Sequence, residues 1–129
     1  MKYYYSKTLT TKSFDDAVTK VEEELKKEGF GVLTEIDIQA TLKKKLDVDF
    51  RKYKILGACN PSFAHMALQA EDKIGVMLPC NVIVEEHEGG QVEVAAVNPM
   101  ASMQAVENSS LNAIAKEVQA KLKNVIDNL

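Results

Sequence analysis

Two thiols are the residues best able to do chemistry in this chain. Cys59 lies in GACNPSFAHMAL (57–68) and Cys80 in MLPCN (77–81), and each stands directly before an asparagine. A thiolate just ahead of a helix gains from the positive end of the helix dipole and from unpaired amide donors, which lowers its pKa and raises its reactivity. Packing is the competing reading, because free cysteine is among the most buried residue types and suits a tight strand-to-helix turn. Each cysteine precedes an asparagine where a sheet element meets a turn. The two sulfurs are therefore expected to approach each other near one sheet edge, and one of them to titrate below the ordinary value of ~8.5.

Other reactive or ligating residues are sparse. Cys59, Cys80 and His65, with Glu35 as a fourth donor, would suit a soft metal, but helix and strand spacings do not bring them together, so no metal or cofactor is expected. Glu85 and His87 alternate onto one strand face and could hold a surface metal, although a solvated hairpin end is the plainer reading. Met100 and Met103, at helical spacing, read as core more readily than as thioether ligands. GxSxG, HExxH, GxxxxGK[ST] and CxxC are all missing. The usual serine-nucleophile, zinc-protease, nucleotide-binding and thioredoxin chemistries therefore lack their parts.

The chain that must position these groups has 129 residues, 46% hydrophobic and 27% charged, which suits one globular domain over 1–129. Lys plus Arg number 16 against 19 Asp plus Glu, so nothing draws the protein to nucleic acid. The one dense basic spot, Lys43-Lys44-Lys45, reads as the solvated side of a short helix. No apolar run approaches ~18 residues and MKYYYSKTLTTK lacks a signal-peptide core, which predicts neither a membrane span nor export, and hence the cytoplasm. Two cysteines in such a chain suit reduced thiols.

Pattern places the elements. Residues 2–11 read as a strand. Ser13 caps a helix, with Asp16 spaced for a capping-box-like contact, and Phe14, Ala17, Val18, Val21 and Leu25 form its apolar face before Gly29 stops it. Residues 31–38 alternate, with Val32, Thr34 and Ile36 on one face and Leu33, Glu35 and Asp37 on the other; a short helix over 39–46 follows. Residues 53–58 form a third strand. Asn60 is the expected N-cap of a helix with Pro61 at its first position. Residues 74–87 carry strand material, and HEGGQ turns into VEVAAV as a hairpin. Asn98-Pro99 repeats the cap-and-proline device before a Met-rich helix (Met100, Met103, Val106). Residues 109–128 form the longest helix, with Leu111, Ile114, Val118, Leu122, Val125 and Ile126 on one stripe. The result is an α+β fold: about five strands in a mainly antiparallel sheet with helices packed on one face. A doubly wound parallel sheet is the alternative, but it lacks a Gly-rich phosphate turn after any strand.

EGFGVLTEIDI (28–38), YKILGACNP (53–61), IGVMLPCNVIV (74–84) and AVNPM (96–100) together resemble the microbial family called domain of unknown function 302, in order and over nearly the whole chain. The resemblance implies a small α+β domain that forms dimers. It places Cys59, Asn60, Pro61, Leu78, Pro79, Cys80 and Asn81 on signature motifs, with Glu35 in the TEID stretch. Where the family pattern has Asp before the proline at Pro99, this chain has Asn98, which keeps a cap and removes a carboxylate. The family brings no established reaction.

The sequence thus favours a dimeric binding or sensing module whose cleft, lined by the CNP and LPCN segments, takes a small ligand, a sulfur species or a soft metal. The alternatives are an enzyme using Cys59 as nucleophile with Glu35 or His65 as acid or base, and a purely structural dimer. The dimer expectation also draws on two apolar surfaces, the Met100-Met103-Val106 face and the Leu111–Ile126 stripe, which one small sheet should not cover.

Overall fold

The computed structural model describes residues 2–10 and 12–129; Thr11, the end of the first expected strand, lies outside the described residues. Strand β1 (Tyr4–Leu9) leads to helix α1 (Phe14–Lys27), then β2 (Gly31–Asp37), α2 (Ile38–Leu46), β3 (Tyr53–Cys59) and α3 (Pro61–Ala70). A 3-10 segment (Asp72–Met77) precedes β4 (Cys80–Glu86), β5 (Val92–Val97), the single-turn α4 (Pro99–Ser102) and α5 (Ser110–Asp127).

The sheet order is β1-β5-β4-β3-β2, with every pair antiparallel. Strands β2 to β5 form a meander. Since β1 and β2 occupy opposite edges, α1 must cross the sheet to join them, and it packs on β2, β4 and β5. Alternation then divides the strands by face. Leu56, Val82, Val84, Val92, Val94 and Ala96 are buried against Val21 and Leu25 of α1 and Leu122 and Val125 of α5. Tyr53, Ile55, Ile83, Ala95 and Val97, on the other face, are only half-buried.

The helix ends follow local chemistry. Ser13 accepts from the Asp16 amide at 3.1 Å and caps α1. The helix stops at Gly29, whose φ of 86° favours glycine. Inside α1, Glu24 is buried between Lys20 and Lys27, at 3.3 and 2.9 Å, and the two lysines, Lys27 above all, hold its carboxyl below the usual range. At the β4–β5 hairpin, Gly89 and Gly90 take φ of 90° and 86°.

Four expectations change. Residues 74–79 are not strand: Ile74 is buried within the 3-10 segment, Val76 is 84% exposed, and pairing begins at Cys80, just past Pro79, which has no N–H for a ladder. The Met-rich helix is a single turn ending at Ser102, and Met103 and Val106 pack beyond it against Ala67, Ile74 and Leu111. Strand β2 does not alternate throughout, because its register shifts between Val32 and Thr34 and leaves Leu33 as a bulge. The apolar stripe of α5 is not free for a second chain, since Leu111, Val118, Leu122, Val125 and Ile126 are buried within this one.

Candidate functional site

Helix α3 leaves β3 through Cys59-Asn60 and runs towards the 3-10 segment, packing on α5. Small residues on the facing sides, Ala64 and Ala67 of α3 and Ala115 of α5, leave a cavity of about 350 Å³ between these helices and the end of the sheet. Its floor carries Ala58 and Cys80, and its sides Phe63, Leu78, Met103 and Ile114. Leu33, 70% exposed, and Leu68 stand at the rim. Among the described residues no Asp, Glu, Lys, Arg or His lines the cavity, and Thr34, Asn60 and the two thiols are its polar residues. The chamber is thus apolar, and its volume falls at the low end of the roughly 300–1,000 Å³ common for small-molecule sites.

Five sequence candidates meet here: Cys59, Asn60, Leu78, Pro79 and Cys80. Pro61 begins α3 outside the lining, and Asn81 is exposed and borders a separate groove on the opposite sheet face. Glu35 is also outside, its carboxylate 3.0 Å from Lys54 Nζ. His65 is exposed, and among the described residues neither it nor Glu35 hydrogen-bonds Cys59.

The two cysteines do not form the expected pair. Cys80 stands opposite Ala58, whereas Cys59 is paired with Gly31 on the other neighbouring strand. Ala58, not Cys59, therefore faces Cys80 across the strand pair, and the two thiols border the cavity from different strands. Both are free thiols. Cys80 is not a thiol that titrates low: burial, and secondarily the nearby Cys59, push it up to about 11. The apolar floor disfavours the anion, as burial of any ionising group does.

Asn60 occupies the N-cap position of α3 but makes no side-chain cap bond. Its Nδ2 instead donates to the Glu28 carbonyl at 3.3 Å, tying the start of α3 to the end of α1. Gly29 admits this contact, because a Cβ there would lie 3.1 Å from Asn60 Nδ2. At the far end of α3, Asn108 Nδ2 donates to the Ala70 carbonyl at 2.8 Å and to Glu71 Oε1 at 3.0 Å. Side-chain amides therefore anchor both ends of the helix that walls the cavity.

Asn98 does cap its helix: its Oδ1 accepts from the Met100 amide at 3.1 Å and from Gln119 Nε2 at 3.0 Å, while its Nδ2 donates to the Lys2 carbonyl at 2.9 Å. A carboxylate could not make that donation. Gly57 was also silent in the sequence. A Cβ there would collide with Thr34 Oγ1 and lie 2.9 Å from Pro79 Cγ, so the lack of a side chain lets two cavity-lining residues close over β3.

The pattern described as domain of unknown function DUF302 matches residues 5–129. The chain belongs to the DUF302 family. The crystal structure of an uncharacterized conserved DUF302 protein from Bacillus stearothermophilus is similar to it at 27% identity, with 98% of each chain covered and a TM-score of 0.90. No curated protein sequence matches this DUF302 chain. No helix of its described residues is long and apolar enough to cross a membrane.

Proposed function

We propose that this DUF302 protein is a binding or sensing module that takes a small, largely apolar and uncharged molecule into the cavity beneath α3. One observation carries the reading: a chamber of about 350 Å³ that opens to solvent past exposed leucines and is lined without a charged side chain. Apolar burial provides the attraction, at roughly 25 cal/mol per Å² removed from water, while Asn60 and Thr34 offer the few polar contacts that orient a ligand. A soft metal fits less well, because Cys80 holds its proton and the thiols are not paired. Thiol-dependent catalysis would need a base beside Cys59, which neither Glu35 nor His65 provides. Free thiols suit a reducing compartment such as the cytoplasm.

The test is titration with N-phenyl-1-naphthylamine, an apolar dye that fluoresces when dehydrated. Saturable enhancement is expected in the wild type, with loss in Ala64→Phe, whose ring would fill the chamber. A folded Ala64→Phe variant that binds the dye unchanged would place the apolar site elsewhere and overturn the reading.

We also propose that two copies pair through the open sheet face. Helices cover the opposite face, while Tyr53, Ile83 and Ala95 stay half-buried around a groove that includes Tyr3, 69% exposed, and Ile55 is half-buried on the same face. Contiguous apolar surface left open on one sheet face is the kind of surface a second copy can cover. Light scattering should return about twice the 14.3 kDa chain mass, falling to one chain mass in Ile83→Glu. A wild type that stays monomeric at micromolar concentration refutes the pairing.

A further inference from the structure

The hairpin end of β4 and β5 gathers ligating side chains that the cavity does not use. Glu85 lies on β4, His87 is the residue just past its end, and pairing sets Glu93 directly opposite Glu85. One ligand atom from each of the three lies within 4.8 Å of the others. His87 Nε2 is 2.8 Å from Glu93 Oε1. We propose that Glu85, His87 and Glu93 form a binding site for one divalent first-row cation, with zinc as its best fit.

Three physical points support the assignment. Two carboxylates placed directly across a strand pair repel each other; Arg51 offsets part of this at Glu85, and a cation between the two would offset the rest. Zinc bonds to imidazole nitrogen and carboxylate oxygen of about 2.0–2.2 Å put neighbouring donors about 3 Å apart, which small rotations of these side chains can reach. The surroundings also match what metal ligands usually have around them. Arg51 Nε donates to Glu85 Oε1 at 2.9 Å, and its guanidinium rests over the rings of Phe50 and Tyr53, at 4.5 and 5.4 Å from their centroids. That arrangement fixes one carboxylate oxygen and leaves Oε2 to bind.

The donor set is mixed oxygen and nitrogen, borderline in softness, which suits zinc better than calcium or copper(I). Three protein ligands leave at least one position for water or a small anion. Glu85 and Glu93 border the groove on the open sheet face. Binding requires neutral imidazole, and the metal would take the place of the direct His87–Glu93 contact.

The competing account is a plain histidine–glutamate ion pair, and calorimetric titration of the full chain with Zn²⁺ at neutral pH separates the two. The expected result is one ion per chain at micromolar affinity, weakened at least about tenfold by His87→Ala and by Glu93→Gln. The double variant Cys59→Ser with Cys80→Ser should bind as the wild type does, which excludes the thiols as the source. Melting curves without metal confirm that each variant is folded. No uptake up to about 1 mM Zn²⁺, unchanged binding in His87→Ala, or loss of binding in the thiol variant would each overturn the site.

Discussion

Cys80 should be a slow nucleophile whose reactivity keeps rising far into alkaline pH. Its thiol titrates at about 11 against 9.0 for an unperturbed thiol, and the cause is burial in the apolar floor of the cavity. At pH 8 the thiolate fraction is then about 0.1% where an exposed thiol has about 10%, roughly a hundredfold deficit. A more basic thiolate is the better nucleophile, and over this shift that returns about six- to tenfold. The net expectation is alkylation at least about tenfold slower than in the unfolded chain, before restricted access slows it further. The Cys59→Ser variant isolates the signal, and iodoacetamide labelling followed by mass spectrometry gives the rate from pH 7 to 10.5. The same shift acts on stability. Since the folded state holds the proton more tightly, this contribution is fully present below pH ~9 and is lost as pH rises toward 11, up to about 2.7 kcal/mol. A labelling rate that levels off with a midpoint at or below pH ~8.5 would show a stabilised thiolate, and the burial argument would fail.

Two further substitutions test the framework around the cavity. Gly57→Ala should destabilise by about 1–3 kcal/mol in urea melts, because the new Cβ meets Thr34 Oγ1 and Pro79 Cγ, and Thr34→Ala in the same chain should recover part of the loss; an unchanged midpoint shows that both neighbours give way. Asn60→Ala should lose about 0.5–1.5 kcal/mol with the Glu28 bond, and Asn60→Asp at least as much, since it sets a carboxylate against a carbonyl oxygen; wild-type stability in the aspartate variant would mean that the side chain caps α3 after all.

What could be read in the sequence was whatever local periodicity determines. The stripe from Leu111 to Ile126, the α1 face from Phe14 to Leu25 and the Gly89-Gly90 hairpin each carry their own signal within a few residues, and each appears as expected. Residues 72–77 do not. Ile74 and Val76 look like strand, but Ile74 is buried by packing with Ala67 and Leu111, which are distant in sequence or across a helix turn. The thiols were misplaced for a related reason. Alternation shows which residues share a face, yet only the partner strand sets the register, and a slip of one position decides whether Cys80 meets Cys59 or Ala58. Pairing likewise hid Glu93, six residues beyond His87 and beside it only because the hairpin folds back. The cavity had no signal of its own, because apolar residues around an opening follow the same helical spacing as apolar residues in a core.

An apolar chamber of this size needs support against collapse, since protein interiors close most voids larger than a water molecule. Here the support is polar and lies at the ends of the cavity wall. Helix α3 buries only Ala67, so hydrophobic packing holds it weakly to the sheet. Its position is instead fixed at the start by Asn60 on the Glu28 carbonyl and at the end by Asn108 on the Ala70 carbonyl. Both bonds are partly buried, where losing a partner leaves an unsatisfied polar group and costs more than the bond contributes. Between these anchors α3 presents alanine to the space below, while Leu33, displaced by the β2 bulge, stands across the opening. The arrangement resists the inward shift of α3 that would fill the void, so the apolar surface stays open.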